Sequence, residues 1–305
     1  KIRPGTVLLN GSSAGAGTVE GVNVMGGVLV LQNYSTYNDR RIGQGAYLTG
    51  GGGVLAMFNT DAVSPTEDLT GAVTIAPGAS GVAVINANAG VSTINLGNFT
   101  RNVGGAMAFA EQAPAGAAVI TSTSGAGQAA GTRIGAWATY GSQAYNIASG
   151  QIDPVVNDWA AYDGSSGIEA FSAHGTYSSD TFGAGRHTDI VSASVATGGA
   201  TTASMRVNTA STITGSLTLQ DGGILVGSAN TGAVVIGNAG DTLGTSGSGV
   251  DLVVQNYGAG SLTIQSNIGG GQAFTHAGTG TTTLAGTNTY TGTSYLNQGT
   301  VAVDS

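Results

Sequence analysis

Few residues of this chain have the types and spacing that chemistry needs. Asn59-Thr60-Asp61 groups an amide, a hydroxyl and a carboxylate, as in motifs that hydrolyse acidic polysaccharides. Such hydrolysis sets an acid and a base on opposite faces of the scissile bond, so further clustered aspartates are needed. No Asp-Asp pair, Gly-His-Gly or Arg-x-Lys follows; the nearest fragment is Ala173-His174-Gly175. Asn59–Asp61 therefore reads as a polar corner after a strand at Val54–Phe58. Gly11-Ser12-Ser13-Ala14-Gly15 has nucleophile-elbow spacing. An elbow needs a strand-to-helix turn, and this segment opens a Gly/Ala/Ser loop. His174, His187 and His276 are far apart, with none at the i, i+4 spacing of a metal site. They read as surface or corner residues that titrate in mildly acidic surroundings; His174 and His187 are the pair folding could bring together. Gly237–Leu243 has the form of one calcium-binding nonapeptide. Such sites share ligands between successive turns, so one copy holds no calcium. No metal, nucleotide or other cofactor is expected.

The stretch from Trp137 to Phe182 is different. It gathers both tryptophans, Trp137 and Trp159, with Tyr140, Tyr145, Tyr162, Tyr177, Phe171 and Phe182. Asp153, Asp158, Asp163, Glu169 and Asp180 lie among them, and Asp153-Pro154 reads as a turn. Exposed Trp and Tyr anchor interfaces and stack on sugars, so Trp137, Tyr140, Trp159 and Tyr162 are the candidate partner contacts. The competing reading packs the same rings against the flank of the fold as a longer corner or flap.

The elements that must position these residues are short strands. The chain has 305 residues, 54 of them Gly, and only 8% are charged, so the helix formers Glu, Lys and Arg are scarce. No 3.6-residue apolar period persists. With 41% hydrophobic residues in recurrent β-type runs, the chain is expected to fold rather than stay solvated. Strands are expected at intervals of roughly 8–12 residues. Among them are Val19–Val24, Val28–Leu31, Val54–Phe58, Val82–Ile85, Ser92–Leu96, Arg133–Thr139, Ile190–Val195, Ser204–Val207, Ser216–Leu219, Ile224–Val226 and Leu262–Ile264. Turns are expected at Asp221-Gly222-Gly223, Gly227–Gly232, Gly237–Gly240 and Gly244–Gly249. The clearest unit is Thr281–Val303. There Thr281–Leu284, Thr293–Leu296 and Thr300–Val303 are separated by Asn- and Gly-rich corners, about one coil of a parallel β-solenoid. At about 20–25 residues per coil, the whole chain would form a single solenoid of roughly 13 coils.

Charge and termini narrow the function. A net charge of −8 with one lysine, Lys1, weighs against nucleic acid and against polybasic attachment to lipid. Without cysteine there is no disulfide framework. No run of about 18 apolar residues offers a transmembrane helix. Lys1-Ile2-Arg3-Pro4 leads into no apolar segment, so a fragment of a longer precursor is expected.

Thr283–Val303 closely resembles the autotransporter-associated β-strand repeat of large bacterial surface proteins, departing from it at Thr293 where glycine is usual. Other segments agree in order. Gly97–Arg101 with Gly104-Gly105 is similar to the family's T-R-x-x-G-G-T. Arg133–Thr139 and Asp158–Tyr162 are similar to its G-G-W-A-T and W-A-x-Y. Met205–Asn208 followed by Leu217–Val226 is similar to its L-R-F-N and L-T-L-x-x-G-G-I-L-V. The resemblance implies a right-handed parallel β-helix displayed on, or released from, a bacterial cell. It supplies no catalytic residues, and it makes the Trp137 and Trp159 segment a recurring structural feature. The outer-membrane barrel of such proteins is absent from this sequence.

The expected function is a non-enzymatic extracellular structural or adhesive protein that assembles with itself into a fibre or coat. Two readings stand beside it: an adhesin that binds surface glycans or a host through the aromatic stretch, and a polysaccharide-active enzyme, since pectin-degrading hydrolases and lyases share the solenoid.

Overall fold

The computed structural model describes residues 5–10, 19–33, 41–146, 151–247 and 249–304. Regular structure there is β, apart from a 3-10 turn at Thr123–Gly125 and a short helix at Phe171–His174. No helix among the described residues is long and apolar enough to cross a membrane. The chain divides into two compact units. The first comprises Lys1–Ile134, Ala138–Pro154 and Ala160–Gly175; the second comprises Gly135–Trp137, Val155–Trp159 and Thr176–Ser305.

In the first unit Thr132–Arg133 and Ile168–Ala170 pair antiparallel with the end of Gln151–Tyr162, while most strands form three parallel ladders. One stacks Thr6–Asn10, Gly27–Asn33, Gly53–Asn59, Gly78–Asn86, Gly105–Gln112 and Ala138–Asn146. A second stacks Gly21–Val24, Tyr47–Gly50, Val73–Ile75 and Phe99–Arg101. The third stacks Thr66–Leu69, Val91–Leu96 and Ala117–Ser122. From Tyr47 to Ser122 the chain visits the three in cyclic order, second, first, third, and returns one strand further along. Gly27 faces Gly53 and Val54 faces Gly81, so each coil returns at nearly the same interval. Three sheets need three corners, which makes this coil slightly longer than the sequence alone leads one to expect. Apolar runs such as Val82–Ile85 are buried on both faces. Val30, Ala56, Phe58, Ala83, Ile85 and Ala110 line one side, and Leu29, Leu55, Met57, Val82, Val84 and Phe109 the other.

Buried side-chain amides close one corner of this coil. Asn59 and Asn86 lie opposite each other and are fully buried. Asn59 Nδ2 donates to Asn86 Oδ1 at 3.2 Å and to the Asp61 and Val63 carbonyls at 3.0 Å. Asn86 Nδ2 donates onward to the Gly90 and Ala117 carbonyls at 2.9 Å. Corner carbonyls that the ladders leave over thus find donors without water. Asn59-Thr60-Asp61 is a structural corner, and Asn59 has no free amide to offer a substrate.

The second unit alternates between two parallel ladders. One runs through Tyr177–Ser179, His187–Ile190, Thr201–Val207, Leu217–Val226, Leu252–Asn256, Phe274–Ala277 and Ser294–Leu296. The other runs through Ser194–Ala196, Ser211–Thr214, Val234–Ile236, Leu262–Ile264, Thr281–Leu284 and Thr300–Val303. Coil length is uneven: the step from His187 to its partner Ser204 is short, whereas that from Gly223 to Val253 is much longer. The longer coils carry an extra strand, Thr242–Thr245 or Asn267–Ile268. Inward Met205, Val207, Ile213, Leu219, Ile224, Val254, Leu262, Ile264 and Phe274 form one continuous core.

Several sequence expectations change. Arg133–Thr139 is divided between Thr132–Arg133 and Ala138–Asn146. Ile190–Val195 breaks into His187–Ile190 and Ser194–Ala196, which belong to different ladders. Asp180 fixes that break, its carboxylate accepting from the Val191 and Ser192 N–H groups and from Ser192 Oγ. Asp153-Pro154 lies within the strand Gln151–Tyr162 rather than a turn. Asp221-Gly222-Gly223 lies within Leu217–Val226, where the ladder shifts register between Thr202 and Ser204 instead of turning. Thr281–Leu284 and Thr300–Val303 are neighbours in one ladder, so Thr281–Val303 is one coil plus the first strand of the next. Gly11–Gly15 lies outside the described residues.

Candidate functional site

The aromatic and acidic stretch contributes to both units, and each part has its own geometry. In the second unit Trp159 is fully buried. Its indole lies against Gly223, where an added Cβ would approach ring carbons within 3.1–3.2 Å. Trp137 is half-buried, and its carbonyl accepts from Gln255 Nε2 at 3.0 Å. Next to Trp159 is the densest charge cluster of the unit. Arg206 Nε and Nη2 bind the two oxygens of Asp189 at 2.9 and 2.6 Å. Arg206 Nη1 lies 3.1 Å from Asp158 Oδ2, and the guanidinium sits 3.8 Å over the Tyr177 ring. Asp158 Oδ1 accepts from Tyr177 Oη and from the Trp159 N–H. Burial pulls the Arg206 pKa down, but the Asp189 hydrogen bonds, Tyr177 and Asp158 outweigh it, and the pKa is raised. Burial first, then the Asp158 charge, pushes the Tyr177 phenol well up. Every polar atom that this cluster would offer a ligand is already bonded inside it. The arrangement anchors one coil to the next.

In the first unit Tyr162 is 6% exposed, its ring packed on Gly125, so like Trp159 it presents no face to a partner. Both rings are buried because this stretch packs on the coils. The surface that sequence reasoning assigned to four rings is reduced to the half-buried Trp137 and Tyr140. Tyr140 Oη in turn donates to Glu111 Oε2 at 2.7 Å, and the Ile120 N–H donates to Glu111 Oε1 at 2.5 Å. Burial pushes the Glu111 carboxyl up to about 7, its two hydrogen bonds oppose, and the Asp163 and Glu169 charges add to the rise. Tyr140 is raised by burial and then by Glu111.

A carboxyl raised in the fold contributes stability below its unfolded pKa and loses it as pH climbs toward the folded value, here from about 4.5 to about 7. Glu111→Gln keeps an oxygen for the Ile120 N–H, offers Tyr140 Oη a donor in place of the acceptor it has now, and never ionises. The variant is expected to be more stable than wild type by on the order of 2 kcal/mol at pH 8, with the gain shrinking toward zero at pH 4.5. Urea unfolding of both proteins at the two pH values checks this.

The histidines are divided between the two units. His174 ends the Phe171–His174 helix, exposed, with Nδ1 2.5 Å from Glu169 Oε1. His187, in the other unit, shares a hydrogen with Ser204 Oγ at 2.8 Å. His276 is not a surface residue; it is fully buried between coils. Asp241, in the calcium-like segment, accepts at Oδ2 from the Gly215 and Asn238 N–H groups, at 3.0 and 2.8 Å. Among the described residues no three His, Asp or Glu side chains are placed to hold a metal ion. Sequence reasoning missed Arg206 and Glu111. The usable signal was opposite charge one coil apart, since Asp189 and Arg206 are register partners. Compared with known proteins, the chain matches no family model, no curated protein and no solved structure.

Proposed function

We propose that the chain is a non-enzymatic structural or adhesive surface protein, built as a right-handed parallel β-helix and displayed outside a bacterial cell. The observation that carries this reading is the cyclic, evenly spaced return of the first unit to its three parallel ladders. The resemblance of Thr283–Val303 to a surface-protein repeat supports the location. The polar groups that stand out, Asn59 and the Arg206 cluster, are consumed in joining coils. Function then resides in length, rigidity and surface. The outermost strand of a parallel ladder presents an open edge, and with 8% charged residues little repels a second copy, so fibres or coats are the expected assembly. Electron microscopy of the purified protein at moderate concentration is expected to reveal filaments or sheets; isolated particles alone at every concentration would count against assembly.

One observation favours an adhesive surface: the half-buried Trp137 ring. If it stacks on a sugar, a glycan screen detects binding that Trp137→Ala removes, and binding indifferent to that change would eliminate this role.

A further inference from the structure

We propose that His276 is an acid-sensitive clasp that holds the segment Thr281–Val303 onto the coil before it. His276 lies in the strand Phe274–Ala277 with no exposed surface. Its Nδ1 faces the Gln298 carbonyl at 2.9 Å, in the corner leading to Thr300–Val303. A carbonyl can only accept, so Nδ1 carries the hydrogen and Nε2 is the acceptor of the neutral ring. Nε2 faces Thr282 Oγ1 at 2.9 Å, and the hydroxyl therefore donates to it. Thr282 Oγ1 in turn accepts from Asn256 Nδ2 at 3.2 Å, and that nitrogen also donates to the Thr281 carbonyl at 3.0 Å. The ring fits closely: a Cβ on Gly299 would stand 3.2 Å from Cε1. One chain of donors thus runs from Asn256 through Thr282 to His276 and Gln298, joining three strands and a corner. Only the neutral imidazole satisfies all of it.

Protonation puts a second donor on Nε2, aimed at a hydroxyl whose hydrogen already points back at it. Thr282 is fully buried, so turning that hydrogen aside gives up the bond to the ring with no water to take its place. The new charge finds no acid to pair with. The side chains facing the ring are Asn256 from Leu252–Asn256 and Thr282 from Thr281–Leu284, with Val254 and Leu296 its register partners on either side. All are neutral. The nearby carboxylate of Asp251 is bonded to Thr275 Oγ1 at 2.8 Å, and Thr275 projects from the opposite face of the His276 strand. Burial accordingly lowers the ring's pKa, against the weaker pull of the Gln298 carbonyl.

The sign follows from linkage. A histidine whose folded pKa lies below its unfolded value gives the closed coil full stability above about pH 6.5. That stability is lost as pH falls from there toward the folded pKa. With the ring free to protonate only when the coil opens, opening at pH 5 is favoured by up to about thirtyfold over pH 7.5. Hydrogen–deuterium exchange, corrected for intrinsic rates, tests this on the full chain. Amides of residues 281–303 are expected to lose protection between pH 7.5 and pH 5 while those of Thr201–Val207 keep theirs, and His276→Gln is expected to abolish the step. An unchanged rate at 281–303, a loss shared equally by Thr201–Val207, or a step that survives His276→Gln overturns the clasp. If the variant does not fold, NMR titration of the wild-type ring decides: a pKa below 6.5 is expected, and one at or above 6.5 refutes the proposal.

Discussion

Arg206→Met is expected to destabilise the second unit by about 3–5 kcal/mol, the cost of breaking a buried ion cluster by removing one partner. Arg206 is 12% exposed, with Asp158 and Asp189 at 9% and 14%, so water cannot replace the lost guanidinium. Two carboxylates that now share one cation would repel each other in a site with few other donors. Asp158 would keep the Tyr177 hydroxyl and the Trp159 N–H, but Asp189 would lose both Arg206 nitrogens. Methionine fills most of the volume and still packs on Tyr177, so the loss measures charge rather than a cavity. Arg206→Lys is expected to recover only part of it, because an ammonium cannot grip Asp189 with two parallel hydrogen bonds. The triple variant Asp158→Asn/Asp189→Asn/Arg206→Met should be more stable than Arg206→Met alone, since no uncompensated charge remains. Guanidinium unfolding of the four proteins decides the matter. A change below about 1 kcal/mol for Arg206→Met would mean the cluster is open to solvent.

The parts of this fold that were legible in the sequence are those where local chemistry and long-range pairing agree. Thr281–Leu284 and Thr300–Val303 have the bounds expected of them, because both are rich in β-branched Thr and Val and a Gly stands immediately before each. Where the two disagree, pairing wins. Asp221-Gly222-Gly223 has turn composition, yet the strand runs through it because Gly223 is held between Ser204 and Val253 and must leave room for the Trp159 ring. Site residues were less legible. Tyr177 and Asp158, or Arg206 and Asn157, are well separated along the chain, and no local pattern links them. An aromatic residue also reads alike whether it is a platform or a core ring. Trp159 and Trp137 differ only in the fold, where one is fully buried with its ring against Gly223 and the other is left half-covered.

The abundance of glycine is a requirement of the stacking itself, and Gly97→Ala is expected to be the most damaging small change in the first unit. Gly45, Gly71 and Gly97 recur at equal spacing, one to a coil. A Cβ on Gly71 would lie 2.5 Å from the Gly45 carbonyl oxygen, and one on Gly97 only 1.7 Å from that of Gly71. The obstacle is backbone, so no rotamer change relieves it. Nor can the coils move apart. The Gly97 N–H donates to the Leu69 carbonyl at 2.9 Å, and the Gly97 carbonyl accepts from Ser122 Oγ at 2.9 Å. On either side Val91–Leu96 is paired to Thr66–Leu69, and Phe99–Arg101 to Val73–Ile75. Inserting one methyl group must therefore break ladder hydrogen bonds or distort the corner, at about 3 kcal/mol, the upper range for overpacking. Gly244 is the control. It lies in the strand Thr242–Thr245 with nothing within 4 Å of an added Cβ, so Gly244→Ala is expected to fall within about 1 kcal/mol of wild type. Thermal unfolding of the two variants beside wild type separates steric stacking from a general cost of replacing glycine. If both fall equally, or Gly97→Ala melts with wild type, the close approach of carbonyl and glycine at this corner does not set the coil spacing.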